Sequence, residues 1–490
     1  MLGFATSIGH DYTFPFPGIR MNEYGTYVAD DWRMTRKLTL NYGLRWDYFS
    51  PPSEELDRWS NFNPATGKMD IAGRNGVGLT ADVLPFRKNW GPRVGFAYQV
   101  FPNTVLRGGF GLFYNASGSE ALNMRLARNI PFGLTSSISP GDINPGTTVS
   151  QGFQPLPTVN FALADNPTGS QSSISPNFRP SYAEQFNLGT EYELTHLNMV
   201  LKLYGVGNLG RRIYNTYNIN QAIPGATALN TRRPLFAINP NVSDVNYAAS
   251  DGLGDYYALQ FVADKRMSHG VSAQIGYAWG HSIDDTPLDF SGGLAGATPQ
   301  DPRFLRAERS NSIFDQRTRL TFTYLWQLPF GKGQHFLDRS GPIDWFLGGW
   351  QTNGLLFTQS GLYFSPQLGT STTNTGTGSR PNITGTVTYP KTLTNWFSAS
   401  AFSTPAQYTY GNAGRNSLIG PGRTNVDMSI FKSFPIHEQM FFQFRFEAFN
   451  VFNHPQFGYP NPTVGTAQVG SITSVVGNPR NLQASLQFQF

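Results

Sequence analysis

The chain has 490 residues, of which 14% are charged and 14% aromatic, and its 36 Lys and Arg against 31 Asp and Glu leave a net charge of +5. Ordinary soluble domains carry roughly 25% charged residues, and the cations here are dispersed instead of forming the patch or stripe of a nucleic-acid binder, so no nucleic-acid partner is expected. The absence of Cys excludes thiolate metal sites, thiol nucleophiles and a disulfide scaffold, and no run approaches the ~20 apolar residues of a membrane helix.

Residues 1–20, MLGFATSIGHDYTFPFPGIR, lack the charged leader, apolar stretch and small-residue cleavage site of a secretory signal. A first strand is predicted over Glu23–Trp32. In KLTLNYGLRWDYF, Leu38, Leu40, Tyr42, Leu44, Trp46 and Tyr48 alternate with Thr39, Asn41, Gly43, Arg45 and Asp47. Alternation with period two marks a strand with one apolar and one polar face. The pattern returns in RVGFAYQVF (Val94, Phe96, Tyr98), at Phe186–Leu194, and in VSAQIGYAWG (Val271 to Trp279). It returns again in RLTFTYLWQL (Leu320 to Leu328) and in FFQFRFEAF (Phe442, Phe444, Phe446). The last stretch, NLQASLQFQF, puts Leu482, Ala484, Leu486, Phe488 and Phe490 on one face, so an aromatic closes the apolar row. Roughly thirteen strands follow from this signal, and no stretch carries a helical period.

The connections alternate in length. Short turns are predicted at Met34–Arg36, Pro102–Asn103, Thr195–Leu197, Met267–Gly270 and Pro435–Glu438. Long segments rich in Gly, Pro, Ser and Asn span 51–89, 116–180, 210–255, 282–315 and 361–423. Short turns at one end and long loops at the other are the pattern of an outer-membrane barrel. Pro329–Asp344 is long for the short-turn end, and nothing in the sequence accounts for it.

Chemical motifs are weak. GVGNLG at Gly205–Gly210 matches a dinucleotide fingerprint, but no amphipathic helix follows it, and no acidic residue lies ~20 positions on. His437–Glu438 begins a zinc-protease motif whose second histidine position is Phe441. Asp251, Asp255, Asp284 and Asp285 offer oxygen ligands for Ca²⁺, with solvated loop carboxylates the favoured reading. No nucleophile elbow occurs. No enzyme activity, cofactor or metal is expected.

On the polar strand faces stand Asn41, Arg45, Asp47, Arg93, Arg107, Glu191, Arg319, Arg445 and Glu447. A charge facing lipid at mid-depth costs about 2–4 kcal/mol, so in a membrane barrel these residues would line the lumen. There they would contact a plug or solute, or form ion-pair and hydrogen-bond ladders between strands. Trp46, Tyr48, Tyr324, Trp326 and Phe490 on the apolar faces suit the aromatic girdle at a membrane interface.

YVADDWRMTRKLTLNYGLRWDY, GPRVGFAYQVFPNTVLRGGFGLFY and SYAEQFNLGTEYEL resemble the barrel of TonB-dependent receptors of the Oar-like group abundant in soil acidobacteria. So do ALQFVADKRMSHGVSAQIGYAWGHSIDD, FDQRTRLTFTYLWQLPFGKG with GGWQTNGLLFTQSG, and GNAGRNSLIGPGRTNVDMSIFKSFPI with RFEAFNVFNHPQFG. Their order covers nearly the whole chain from about Tyr24 onward. The resemblance implies an all-β fold: an antiparallel transmembrane β-barrel of the outer-membrane type, incomplete, with roughly 13–14 strands of a larger barrel. Residues 1–20 would be the remnant of an outer loop or upstream barrel segment, and residues 21–490 barrel with the five long loops extracellular. The odd strand number and outside start lead to the expectation of a truncated frame. The resemblance implies a bacterial outer-membrane transport protein for an unidentified solute. Its partners would be outer-membrane lipid, the TonB complex through a plug domain absent from this chain, and the assembly machinery through the C-terminal strand. The alternative kept open is a secreted all-β carbohydrate-binding or adhesion protein.

Overall fold

A computed structural model describes residues 8–13, 17–115, 125–138, 158–286, 299–437 and 440–490. Thirteen long strands form one continuous antiparallel sheet in sequence order. They are β1 Glu23–Trp32, β2 Leu38–Phe49, β3 Asn89–Phe101, β4 Thr104–Asn115, β5 Ser181–Leu194, β6 Met199–Asn218 and β7 Val242–Ser268. The sheet continues with β8 Val271–Asp284, β9 Thr318–Gln327, β10 Trp350–Gln359, β11 Arg423–His437, β12 Met440–Phe449 and β13 Asn481–Gln489. Each strand pairs with its sequence neighbours, as in an up-and-down wall. Among the described residues β1 and β13 do not pair with each other, so the wall is open.

Antiparallel order puts alternate connections at opposite ends. One end carries short links, 33–37, 102–103, 195–198, 269–270 and 438–439, and the longer 328–349. The other carries 50–88, 116–180, 219–241, 285–317, 360–422 and 450–480. Two expectations are corrected here. The predicted loop 210–255 is half strand, because β6 runs on to Asn218 and β7 begins at Val242, leaving 219–241 as the connection. The connection 450–480 was not anticipated.

The bulge explains the first difference. Pairing of β6 with β7 shifts register between Gly210 and Ile213, and Arg212 takes φ 52°. Such a residue breaks the in/out alternation without ending the strand, so periodicity fades at Gly210 while the hydrogen-bonded ladder continues.

The buried core lies in the long connections, not between layers of the wall. Trp59, Phe62, Ile71, Leu126, Phe132, Ile174 and Val245 belong to two adjoining clusters built from 50–88, 125–138, 158–180 and the outer reaches of β6 and β7. Phe364, Phe397, Leu418 and Val464 form a third from 360–422 and 450–480. Small sheets brace them: Ser60–Asn63 with Lys68–Ile71, Tyr363–Phe364 with Leu418–Ile419, and Gly169–Ile174 laid parallel on β7. Buried amides satisfy the loop backbone. The Asn61 side chain donates to the Ala81 and Ile174 carbonyls and accepts from the Ile174 amide at 2.8 Å. The N-terminal stretch pairs with the long connections, Ile8–Thr13 with Gly133–Ile138 and Ile19–Arg20 with Ser53–Glu54.

Candidate functional site

Residues directly opposite in an antiparallel pair point to the same side of the sheet. One cross-strand row therefore runs Trp32, Leu40, Phe96, Gly108, Leu188, Gly205, Leu259, Trp279 and Thr318. On the same side Ile275, Phe322, Leu356 and Val426 stand in line, and Met428, Ala448 and Leu482 carry the face to the last strand. The apolar rows of separate strands thus merge into one apolar face. Val28, Leu188, Trp279 and Leu486 on it are more than half exposed. A contiguous exposed apolar surface of this extent marks a membrane or a large partner. Its polar members, Asp30, Lys265 and Lys432 at one end and Glu184, Arg211 and Asp255 at the other, lie toward the strand ends.

Aromatic residues collect at both margins of this face. Trp46 and Tyr48 stack at 6.2 Å at the long-connection end, flanked by Tyr24 and Trp90. Tyr324 and Trp326 lie at the short-link end of β9, with Phe488 and the nearly fully exposed Phe490 at that end of the last strand. From Tyr24 to Trp32 along β1 is roughly 27 Å at ~3.4 Å per residue, comparable with the ~25 Å apolar band of outer-membrane barrels.

All nine polar residues singled out from sequence share the opposite face, and each has a partner there. Asn41 donates to Asp31. Arg45 holds Asp47 at 2.8 Å. Glu191 takes Arg107 at 3.3 Å and the Tyr204 hydroxyl at 2.6 Å. Arg445 lies 3.6 Å from Glu447 and over the Phe431 ring. Arg93 sits 4.5 Å over Phe113, and Arg319 sits 5.3 Å over Phe357. The nine form a lattice of local pairs.

A cleft of about 390 Å³ opens on this side near the long-connection end of the last strands. Arg423, Asn425, Asp427, Phe357 and Phe449 line it. Arg319, Gln359 and Arg423 stand opposite one another in a single cross-strand row beside it. Arg423 makes no ion pair among the described residues. The sequence puts it at the end of the loop 361–423, whereas in the structure it opens β11. Its phase was visible: Arg423, Asn425 and Asp427 alternate with Thr424, Val426 and Met428.

The other motifs resolve structurally. Gly205–Gly210 lies inside β6. Asp255 is held by Arg211 at 2.7 Å and by Arg309, while Asp284 binds Arg415. Asp251 accepts from the Tyr217 hydroxyl and Asp285 from the Leu253 amide. All four carboxylates thus have partners: Asp251 is exposed, Asp255 and Asp285 are half-buried and Asp284 is buried, and no metal-ligand cluster occurs among the described residues. Glu438 lies outside the described residues.

The chain belongs to the outer membrane beta barrel domain family, whose model matches residues 1–483. Its place is therefore the bacterial outer membrane. No curated protein sequence matches it. Among solved structures it is similar to the outer membrane transporter YddB from Escherichia coli, at 11% identity and a TM-score of 0.49, covering 95% of this chain and 45% of that one. It is also similar to the ferripyoverdine receptor of Pseudomonas aeruginosa (11%, 0.44, 96% and 39%) and to BauA, the ferric preacinetobactin receptor of Acinetobacter baumannii (12%, 0.45, 96% and 43%). The chain spans less than half the length of these structures.

Proposed function

We propose that the chain forms wall of a TonB-dependent receptor for solute uptake, its apolar face in lipid and its polar face toward the interior. The observation that carries this reading is the register: thirteen strands keep every apolar row on one side and the nine charged or amide residues on the other. A face of paired charges beside exposed aromatics suits a plugged or water-lined interior. The long connections then lie outside the cell, and Trp46, Tyr48, Tyr324, Trp326 and Phe490 sit at the interfaces. The C-terminal strand is the segment offered to the assembly machinery. The TonB contact runs through a plug domain of the kind such receptors carry, outside the described residues. Within the wall, the unpaired guanidinium of Arg423 faces the cleft as a donor for carboxylate or phosphate oxygens of a solute. No covalent chemistry is proposed. A secreted carbohydrate-binding or adhesion protein finds no support in the family match or in the exposed apolar face.

The test is uptake in the bacterium that makes the protein, with its gene intact or disrupted and TonB present or absent. A labelled ferric catecholate, cupric ion and a labelled oligosaccharide serve as probes. Accumulation of at least one should require both the gene and TonB. Accumulation of all three that ignores either loss contradicts the reading.

A further inference from the structure

The connection between β9 and β10, residues 328–349, stands apart from the other links at its end, which need no more than five residues each. It contains α1, Pro342–Leu347. On α1 and around it Ile343, Trp345, Phe346 and Leu347 are more than half exposed, and Phe330, Phe336 and Leu337 are also exposed. These residues have ample chain in which to fold inward, yet they stay out. They are continuous with the apolar face of the wall, since the Trp345 ring lies 5.1 Å from Phe434, which opposes Phe442 in the apolar row.

Lys432 explains how the segment is fastened. By register it belongs to the apolar face, between Trp350 and Phe444. Its ammonium donates to the Trp345 carbonyl at 2.5 Å and the Asp344 carbonyl at 3.4 Å, and it lies 4.9 Å from the Phe434 ring centre. The Asp344 carbonyl already accepts the Gly348 amide at 2.8 Å, so the shorter bond to the Trp345 carbonyl is the main one, and a cation at the C-terminal carbonyls of a helix is favourable. It also leaves Lys432 almost wholly covered, in a row where a bare charge would be costly. The Trp350 indole donates to the Phe346 carbonyl at 2.8 Å, and the Asp344 carboxylate accepts the Lys332 amide at 2.7 Å. Gly331, at φ 111°, passes so close to Gly348 that a Cβ would stand 2.5 Å from its Cα. The segment is thus a built structure with an apolar outer surface. Lys332 and Arg339 are exposed in the same connection, and their charged ends carry no ion pair among the described residues.

We infer that residues 328–349 are an in-plane membrane anchor: Ile343, Trp345, Phe346 and Leu347 enter the headgroup–acyl boundary beside the wall, and Lys332 and Arg339 reach lipid phosphates. Aromatic and aliphatic side chains on one side with basic residues at the margin is the pattern of interfacial segments, and long cationic side chains extend to the headgroups. The inference rests on the reading that the apolar face meets lipid, and the experiment separates the two.

The chain has no Cys, so single cysteines can be placed and spin-labelled without background. Phe346→Cys reports the anchor, Phe322→Cys the middle of the apolar face, and Ala65→Cys an exposed long connection. The protein is reconstituted in bilayers of phosphatidylethanolamine and phosphatidylglycerol, and label depth is read from relaxation by oxygen against a water-soluble nickel chelate. The label at 346 should lie about 5–10 Å below the headgroups, between the other two. Adding Lys332→Gln with Arg339→Gln should raise its nickel accessibility at least about twofold, the loss of two phosphate contacts. A label at 346 as accessible as that at 65, with 322 still in lipid, overturns the anchor alone. A label at 322 exposed to nickel overturns the wall reading beneath it. A depth at 346 unaffected by the double substitution overturns the phosphate contacts.

Discussion

Glu308 accepts both terminal guanidinium nitrogens of Arg380, at 2.7 and 2.9 Å, and its side chain is 1% exposed. The Gln300 amide adds a third bond to the carboxylate, and Arg415 donates to the Glu308 carbonyl while also binding Asp284. This pair joins the 285–317 connection to 360–422. Removing one member of a buried pair leaves the other charge uncompensated, at about 3–5 kcal/mol. Glu308→Gln should therefore speed hydrogen exchange in both connections while the strands of the wall stay protected. Unchanged exchange would show that the pair contributes nothing there. Glu54 offers a pH-dependent counterpart. Burial pushes its carboxyl up, but the amides of Arg58, Leu56 and Gly18 and the Arg58 charge pull it further the other way, so its pKa lies below the ordinary carboxylate value. A carboxylate with a depressed folded pKa contributes stability above its unfolded pKa, about 4.3, and loses it as pH falls through the folded value. Protection of the Gly18, Leu56 and Arg58 amides, corrected for intrinsic exchange, should hold from pH 7 to about 4.3 and fall below that. Protection already lost at pH 6 contradicts this role.

Within the strands, space is rationed between neighbours. Gly189 faces Tyr204 across β5 and β6, and the Tyr204 ring lies over it to reach Glu191. A Cβ at Gly189 would come within 2.3 Å of that ring and 2.4 Å of the Leu203 carbonyl oxygen. The ring can swing; the carbonyl is fixed by the ladder. Gly189→Ala should cost about 1–3 kcal/mol by overpacking and reduce the folded fraction seen as a heat-sensitive gel-mobility shift. Full retention of that shift would contradict the clash. The elements also show what sequence can carry. Strand existence and facing were legible because alternation is local: Leu38 to Tyr48, Phe186 to Leu194 and Leu482 to Phe488 each declare a face within a dozen residues. The nine polar residues fell on one face for the same reason. What escaped was non-local. Arg212 in its bulge hid the outer parts of β6 and β7, and Tyr363–Phe364 meets Leu418–Ile419 only after folding of the intervening chain. The role of 328–349 depends on Lys432, far along the sequence, and no local pattern announces that contact.

At the scale of the whole molecule, many of the side chains that an ordinary globule would bury lie across the open apolar face, and the clustered apolar burial among the described residues lies in the long connections and the outer reaches of β6 and β7. Among the described residues consecutive strands pair along most of their length, with interruptions such as the β6–β7 bulge, and β1 and β13 each keep one unpaired edge; pairing within the sheet is what a chain needs where water is absent to satisfy N–H and C=O groups. The account stands on which side of that sheet meets lipid. Thr321 and Phe322 are adjacent on β9 and point to opposite faces, so they form a matched pair of probes in a chain without Cys. In outer-membrane fractions a water-soluble maleimide should modify Thr321→Cys and leave Phe322→Cys unreacted until detergent is added. Equal reaction at both positions, or a Phe322→Cys as well protected in plain buffer as in the membrane, would contradict a lipid-facing wall.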